Sequence, residues 1–293
     1  MLNRTFCFKV GAACANILPS RLHTLVALYL AAIRASGRVR KEVYPGVTLD
    51  LSLSDWLQRR YYLGLAEQSM LRILKAFVPA GGTFVDAGAY IGLFTCVMAE
   101  HVGASGSVIS FEPMPACLDE LRANVDLNGF GNVRIEPFAL SNGTGRSHLY
   151  LPDGYSGGTS GVAQLWNPGG WEPFETVSCT TLDNCFQADA LDCIKIDVQG
   201  HELEVLTGAS NLIDRFHPVI LCEVAARGRA DVFRFMQGKR YEWFRTHSTG
   251  QLVRFSEQAE RESDLFFIPR ASVADEVNGV PLELKRRIQD GHP

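Results

Sequence analysis

From about residue 83 the chain alternates short apolar runs with longer segments in which apolar residues recur three and four positions apart. The runs TFVDA (83–87), SVISF (107–111), NVRIEPF (132–138), CIKID (193–197) and PVILCEV (218–224) read as short strands of a mostly parallel, helix-covered sheet. Between them, IGLFTCVMAEH, PACLDELRANVDLNG and HELEVLTGASNLIDRF read as helices. In the last two, Leu118, Leu121 and Val125, and Leu203, Leu206 and Leu212, form one buried stripe with charges opposite. Strand and helix in alternation predict an α/β fold, a mostly parallel sheet with helices on both faces. After Phe235 the spacing changes. YEWFRTH and DLFFIPR, separated by the polar SEQAERES, suit an antiparallel pair closing one edge of the sheet.

The pattern divides the chain into an N-terminal helical arm (1–44), a central domain (45–270) and a polar tail (271–293) that reads as a solvated helix. In the arm, Val26, Tyr29, Leu30 and Ile33 fall at helical spacing, as for a helix packed on the domain or on a partner subunit. A secretory-type signal or a peripheral membrane-surface anchor is the alternative. Its longest apolar run, Leu25 to Ile33, is well short of the roughly 18 residues a span requires, so no transmembrane helix is expected. Residues 152–174 are crowded with Gly and Pro around Trp166 and Trp171, and read either as a lid over a site or as a merely mobile loop, its aromatics serving either as contacts or just to pin it down.

Composition narrows the function classes. With 46% hydrophobic and 20% charged residues the chain is globular rather than disordered. A net charge of -4 supplies no general field for gathering phosphates, so no nucleic-acid partner is expected. Eight cysteines without a CxxC pair argue against a disulfide scaffold and a structural zinc site, and favour a reducing, cytoplasmic setting. The seven histidines show no metal-ligand spacing, so no metal is expected.

The main chemical signal is FVDAGAYIG, Phe84 to Gly92: a strand ending in Asp86, then a glycine turn into an apolar helix. Gly88 would let the backbone approach a ligand, and the helix start would offer unpaired N–H groups. At the end of the next strand Glu112 is placed to accept hydrogen bonds from both hydroxyls of a ribose. A dinucleotide fingerprint starting at Gly88 would need glycines where Tyr90 and Leu93 stand, and no lysine follows the turn as a P-loop requires. A nucleoside cofactor without phosphates fits better, and S-adenosyl-L-methionine is such a molecule. The bland alternative is a helix-packing glycine with an incidental acid.

A second strand–turn–helix unit, IKIDVQGHELEVLTGA (194–209), should place Asp197, Gln199 and His201 on the same rim, where an acceptor would sit. Glu202 reads equally as an acid favoured in a first helical turn, and Glu223 as a further rim acid. Upstream, Trp56, Tyr61, Tyr62 and Glu67 either cover the bound cofactor or belong to a core helix.

Taken in order, VDAGAYIG, ISFEPMP, NVDLNGFGNV, FALSN, TTLDNCF, IKIDVQGHELEVLTGA, ILCEV and DLFFIP resemble the FkbM-type family of S-adenosylmethionine-dependent methyltransferases over roughly residues 45–270. The resemblance implies a Rossmann-like class I methyltransferase sheet of seven strands, mostly parallel with one antiparallel edge strand. It implies that Asp86, Gly88, Tyr90 and Gly92 line the methionine end, that Glu112 holds the ribose, and that Met114, Ala139 and Leu140 flank the adenine. The implied acceptor is a small-molecule or glycan hydroxyl, on a sugar, glycolipid or secondary metabolite. Gln199 stands where the family more often has Glu, and His201 where it often has a small or apolar residue. Gln199 would leave Asp197 without a neighbouring like charge, and His201 becomes a candidate general base beside Asp197. A solvent-facing histidine at a helix start is the alternative. The rival functions are an NAD-type oxidoreductase or epimerase on a similar sheet, and a non-catalytic scaffold that kept the fold.

Overall fold

A computed structural model describes residues 37–65, 67–151, 163–167, 169–224, 228–246, 252–254 and 263–273. The expected arm helix within 1–36, most of the expected tail helix, and residues 152–162 of the glycine-rich loop lie outside the described residues. The end of the expected arm is not helical. Residues 38–44 form β1 (Arg38–Tyr44), paired antiparallel with β2 (Val47–Ser52). In β2 the alternate residues Val47, Leu49 and Leu51 are wholly buried, as the twofold repeat of a half-covered strand requires. Asp55 then caps α1 (Trp56–Tyr62), its Oδ1 accepting the N–H groups of Leu57 and Gln58 at 2.9 and 3.0 Å. α2 (Gln68–Phe77) follows.

The central domain opens with β3 (Thr83–Ala87), α3 (Leu93–Val102), β4 (Ser107–Phe111), α4 (Pro115–Asn128) and β5 (Val133–Glu136). A small sheet of β6 (Ala139–Leu140), β7 (Gly145–Tyr150) and β8 (Pro173–Thr180), in the order β6-β8-β7, comes next. Then follow α5 (Leu182–Cys185), β9 (Cys193–Ile196), α6 (Glu202–Gly208), α7 (Ser210–Phe216), β10 (Val219–Val224), α8 (Arg229–Gly238), β11 (Tyr241–Thr246), β12 (Leu252–Arg254) and β13 (Ser263–Pro269).

The large sheet runs β12-β11-β13-β10-β9-β3-β4-β5. The five strands from β10 to β5 pair in parallel, as the βα alternation predicts. Two details differ from expectation. The sheet has eight strands among the described residues rather than seven, because β12 pairs outside β11. The antiparallel strand β13 is not at the edge either, since it pairs with β10 on one side and β11 on the other.

Successive strand residues feed opposite faces: Phe84 joins one buried cluster with Phe266, and Val85 the other with Phe267. Helix α3 is buried almost all round because it lies between the sheet and the outer layer of β2 and α2. The outer edge of β2 is met by α4 rather than by a strand. Asn128 accepts the N–H of Thr48 at 2.9 Å and donates to its carbonyl at 2.7 Å, while Asn124 accepts the N–H of Asp50 at 2.8 Å. Asn124 also donates to the carbonyl of Ile91 at 2.8 Å, tying the hairpin to the turn after β3.

Candidate active site

The ends of β3, β4, β9 and β10 converge on one rim, around a cavity of about 290 Å³. At the end of β3, Asp86 is wholly buried and accepts a hydrogen bond from Thr95 Oγ1 at 2.7 Å, with Ser110 Oγ 2.8 Å from the same hydroxyl. It lies beneath the cavity instead of lining it, which corrects its expected place. Gly88 does line the cavity, but its missing side chain serves the neighbouring strand. Its φ is +79°, and a Cβ there would lie 2.0 Å from the carbonyl oxygen of Asp197.

Tyr90, at φ +53°, lines the cavity with its N–H turned to Glu112 and its hydroxyl receiving Gln58 Nε2 at 3.3 Å. Gly92 is off the cavity wall. It precedes α3 at φ +95°, where a Cβ would meet Leu121 at 2.6 Å, so it serves helix packing.

Glu112 is fixed at both oxygens. Oε2 accepts the N–H of Tyr90 at 2.8 Å and Oε1 that of Met114 at 2.9 Å, leaving about two of the roughly four acceptor positions of a carboxylate. Burial pushes its carboxyl up to about 7, against the pull of those two N–H groups. Met114, Ala139 and Leu140 line the same end of the cavity with Phe111 and Phe138, an apolar slot beside the carboxylate.

Opposite stands an acidic wall built on Lys195. The Lys195 Nζ donates to the carbonyl of Gly88 at 2.8 Å and pairs with Asp86 at 3.3 Å and Asp197 at 3.7 Å. Burial alone would lower its affinity for a proton, but the two carboxylates outweigh that and hold it well above the ordinary lysine range. Gln199, turned back by a φ of +55°, donates through Nε2 to both Asp197 Oδ1 at 2.8 Å and Glu223 Oε2 at 2.9 Å. Asp197 therefore does have an acidic neighbour, contrary to the reading of Gln199 as an isolating residue. Burial opposes its ionisation, but Lys195 and its hydrogen bonds hold the Asp197 carboxyl below the usual range. Burial, then the charge on Asp197, pushes Glu223 up to about 9. At neutral pH the bridge joins an ionised Asp197 to a protonated Glu223.

His201 is not on this wall. Its Nε2 lies 2.9 Å from Ser141 Oγ and its Nδ1 3.6 Å from Glu204, at the start of α6 and outside the cavity lining. The turn before it is held elsewhere: Trp166 Nε1 donates to the carbonyl of Gln199 at 3.0 Å, and a Cβ on Gly200 would meet that indole nitrogen at 2.6 Å. Trp166 thus pins its part of the glycine-rich loop.

Trp56, Tyr61 and Glu67 do reach the cavity, whereas Tyr62 is not among its described lining residues. Two charged lining residues escaped the sequence reading, Lys195 and Asp264. A lysine between Ile194 and Ile196 in a buried strand was the available signal for the first. Among the described residues no group of three His, Cys, Asp or Glu is arranged to hold a metal ion.

Residues 86–247 match the methyltransferase FkbM domain. The chain belongs to that family. The chain is 27% identical over 202 residues to the hexuronic acid methyltransferase AglP of Haloferax volcanii, covering 69% of this chain and 80% of that relative. It is 29% identical over 163 residues to the methyltransferase sdnD of Sordaria araneosa, covering 45% of this chain and 62% of sdnD. The structure of methyltransferase FkbM from Methylobacillus flagellatus aligns with a TM-score of 0.44 at 16% identity, over 85% of this chain and 60% of that one. The FkbM domain of this chain thus carries the cavity's β3, β4, β9 and β10 rim, from Asp86 onward.

Proposed function

We propose that this FkbM-family chain is an S-adenosylmethionine-dependent O-methyltransferase acting on a hydroxyl of a sugar, glycolipid or secondary metabolite. The charge of the cavity wall carries the reading. Glu67, Glu112, Asp197 and Asp264 line it beside Glu223, whose carboxyl holds its proton, and the ammonium of Lys195 is already committed to Asp86, Asp197 and the Gly88 carbonyl. A pyrophosphate would meet acids there without a spare cation among the described lining residues, which counts against an NAD-type oxidoreductase. A phosphate-free nucleoside with a positive sulfur meets complementary charge.

Glu112 would hold the ribose, the slot of Met114, Ala139 and Leu140 the adenine, and the backbone of Gly88 with Tyr90 the amino-acid end. When bound there, S-adenosylmethionine supplies an electrophilic methyl group on a sulfonium. The chain's own contribution is placement of the acceptor oxygen behind that methyl and removal of its proton. Asp197, fixed by Lys195 and Gln199, is an acceptor for the incoming hydroxyl rather than a strong base, because its charge is already stabilised. AglP, by its name, methylates a hexuronic acid, which supports the sugar reading.

Calorimetry with S-adenosylmethionine, S-adenosylhomocysteine and NADH tests the donor. Uptake of the first two and not the third is expected; uptake of NADH alone would overturn the reading. A tritiated-methyl transfer screen over sugars, glycolipids and small hydroxylated metabolites then tests turnover, and cofactor binding with no transfer to any of them would favour the scaffold.

A further inference from the structure

Tyr90 stands in the turn after β3 with a φ of +53°, a left-handed conformation that a bulky side chain keeps only where its surroundings over-determine it. It is held from two directions. Its N–H is turned to Glu112, and at the far end of the side chain its hydroxyl accepts Gln58 Nε2 at 3.3 Å. The first anchor lies in the FkbM domain. The second does not, because Gln58 is on α1, ahead of the matched residues 86–247. Gln58 is wholly buried, and its amide is bound on both sides. Nε2 also donates to Glu120 Oε2 on α4 at 3.1 Å, and Oε1 accepts the N–H of Ser52 at the end of β2. Its backbone N–H goes to Asp55, the cap of α1. Glu120 is in turn paired with Arg38 of β1 at 2.9 Å, and Arg38 with Asp50 of β2 at 3.2 Å. On the same helix Leu57 and Tyr61 line the cavity. With those two side chains α1 forms part of the cavity wall, and with Gln58 it holds Tyr90 from outside the lining.

Resting on the reading of the cavity as a donor site, we propose that Gln58 is a positioning residue for S-adenosylmethionine. By fixing the Tyr90 hydroxyl it keeps the Tyr90 backbone against Glu112, so the layer that precedes the family domain completes the donor site. The link is short. The Tyr90 N–H is one of the two that orient the Glu112 carboxylate, the other being that of Met114. A Tyr90 that leaves the left-handed region takes its N–H off that carboxylate, and the groups facing the ribose and the amino-acid end of the donor are disturbed together. Fastening α1 to the hairpin through Ser52 and Glu120 is a different role for the same amide. The two roles differ in which partner of Gln58 carries the effect.

The test titrates the full chain with S-adenosylhomocysteine in a calorimeter. Gln58→Met, of similar length and without the amide, should weaken binding roughly fivefold or more, and Tyr90→Phe should do the same. The double variant should bind within about twofold of the weaker single one, because both substitutions remove the same bond. Glu120→Gln still offers Gln58 an oxygen while breaking the Arg38 pair, and should leave binding within about twofold of wild type. Hydrogen exchange gives a second readout that needs no change at Gln58. In Tyr90→Phe the amide of residue 90 should exchange at least about tenfold faster than in wild type, although the substitution leaves the backbone itself untouched. Unchanged affinity in Gln58→Met would overturn the assignment. So would a loss that persists in full on the Tyr90→Phe background, an equal loss in Glu120→Gln, or wild-type exchange at residue 90. Absence of S-adenosylhomocysteine uptake by the wild-type chain would instead remove the underlying donor reading.

Discussion

A β-carbon on Gly88 would sit 2.0 Å from the carbonyl oxygen of Asp197, so β3 and β9 approach at their rim ends more closely than any side chain permits. Gly88→Ala should therefore act on folding before it acts on binding. With the clash against backbone and a φ of +79°, a loss of about 3–5 kcal/mol is expected. Thermal denaturation should show a melting temperature roughly 10 °C below wild type; an unchanged value would mean the two turns move apart freely.

The buried pair of Lys195 and Asp86 gives a prediction of a different kind. Lys195→Met leaves the wholly buried Asp86 without its counter-charge, and breaking one side of such a pair costs about 3–5 kcal/mol. Adding Asp86→Leu to Lys195→Met should recover a large part of that loss in urea denaturation. If the double variant is no more stable than the single one, the cost lies in packing rather than in charge.

Glu223 links stability to pH. Its carboxyl is raised to about 9 in the folded chain against about 4.3 when unfolded, so between those values the folded state binds the extra proton. Stability from this group is thus present at low pH and is lost as pH rises through that window. Glu223→Gln should flatten the dependence and melt above wild type at about pH 8.5, since a neutral side chain never has to ionise there. Parallel melting curves against pH for the two proteins would contradict the assignment.

Glu112→Ala removes a carboxylate held by two N–H groups and facing the proposed ribose. S-adenosylhomocysteine affinity should fall by on the order of 2 kcal/mol, about 30-fold, in calorimetry. Unchanged affinity would take the ribose off this residue.

His201→Ala should retain methyl transfer within about twofold, with the same pH profile, since the imidazole faces Ser141 and Glu204 outside the cavity. A lost limb in the rate profile would return His201 to the reaction.

What the sequence made legible follows from where its signals come from. The short strand-like runs and the two strand–turn–helix units located β3, β4, β9 and β10, and with them Glu112 and Asp197. Position along a strand, however, does not say what a side chain beyond the turn will face. The direction of His201 is set by Ser141, 60 residues earlier, and by Trp166 holding the turn. Asp264 was hidden for another reason. The rule that ligands meet the carboxyl ends of strands holds for parallel ones, and β13 runs the other way, so it brings its beginning to the rim. The glycines were found by spacing, but their reasons were protein against protein: Gly88 against Asp197 and Gly92 against Leu121.

Asn124 and Asn128 act on β2 as a surrogate ladder rung, with side-chain amides standing in for main-chain ones. A hairpin finished in this way presents no open hydrogen-bonding border on that side for a second chain to extend. Because Asn124 also grips Ile91, the seating of the hairpin and the shape of the turn beside the cavity are mechanically one piece, and neither can loosen without the other registering it.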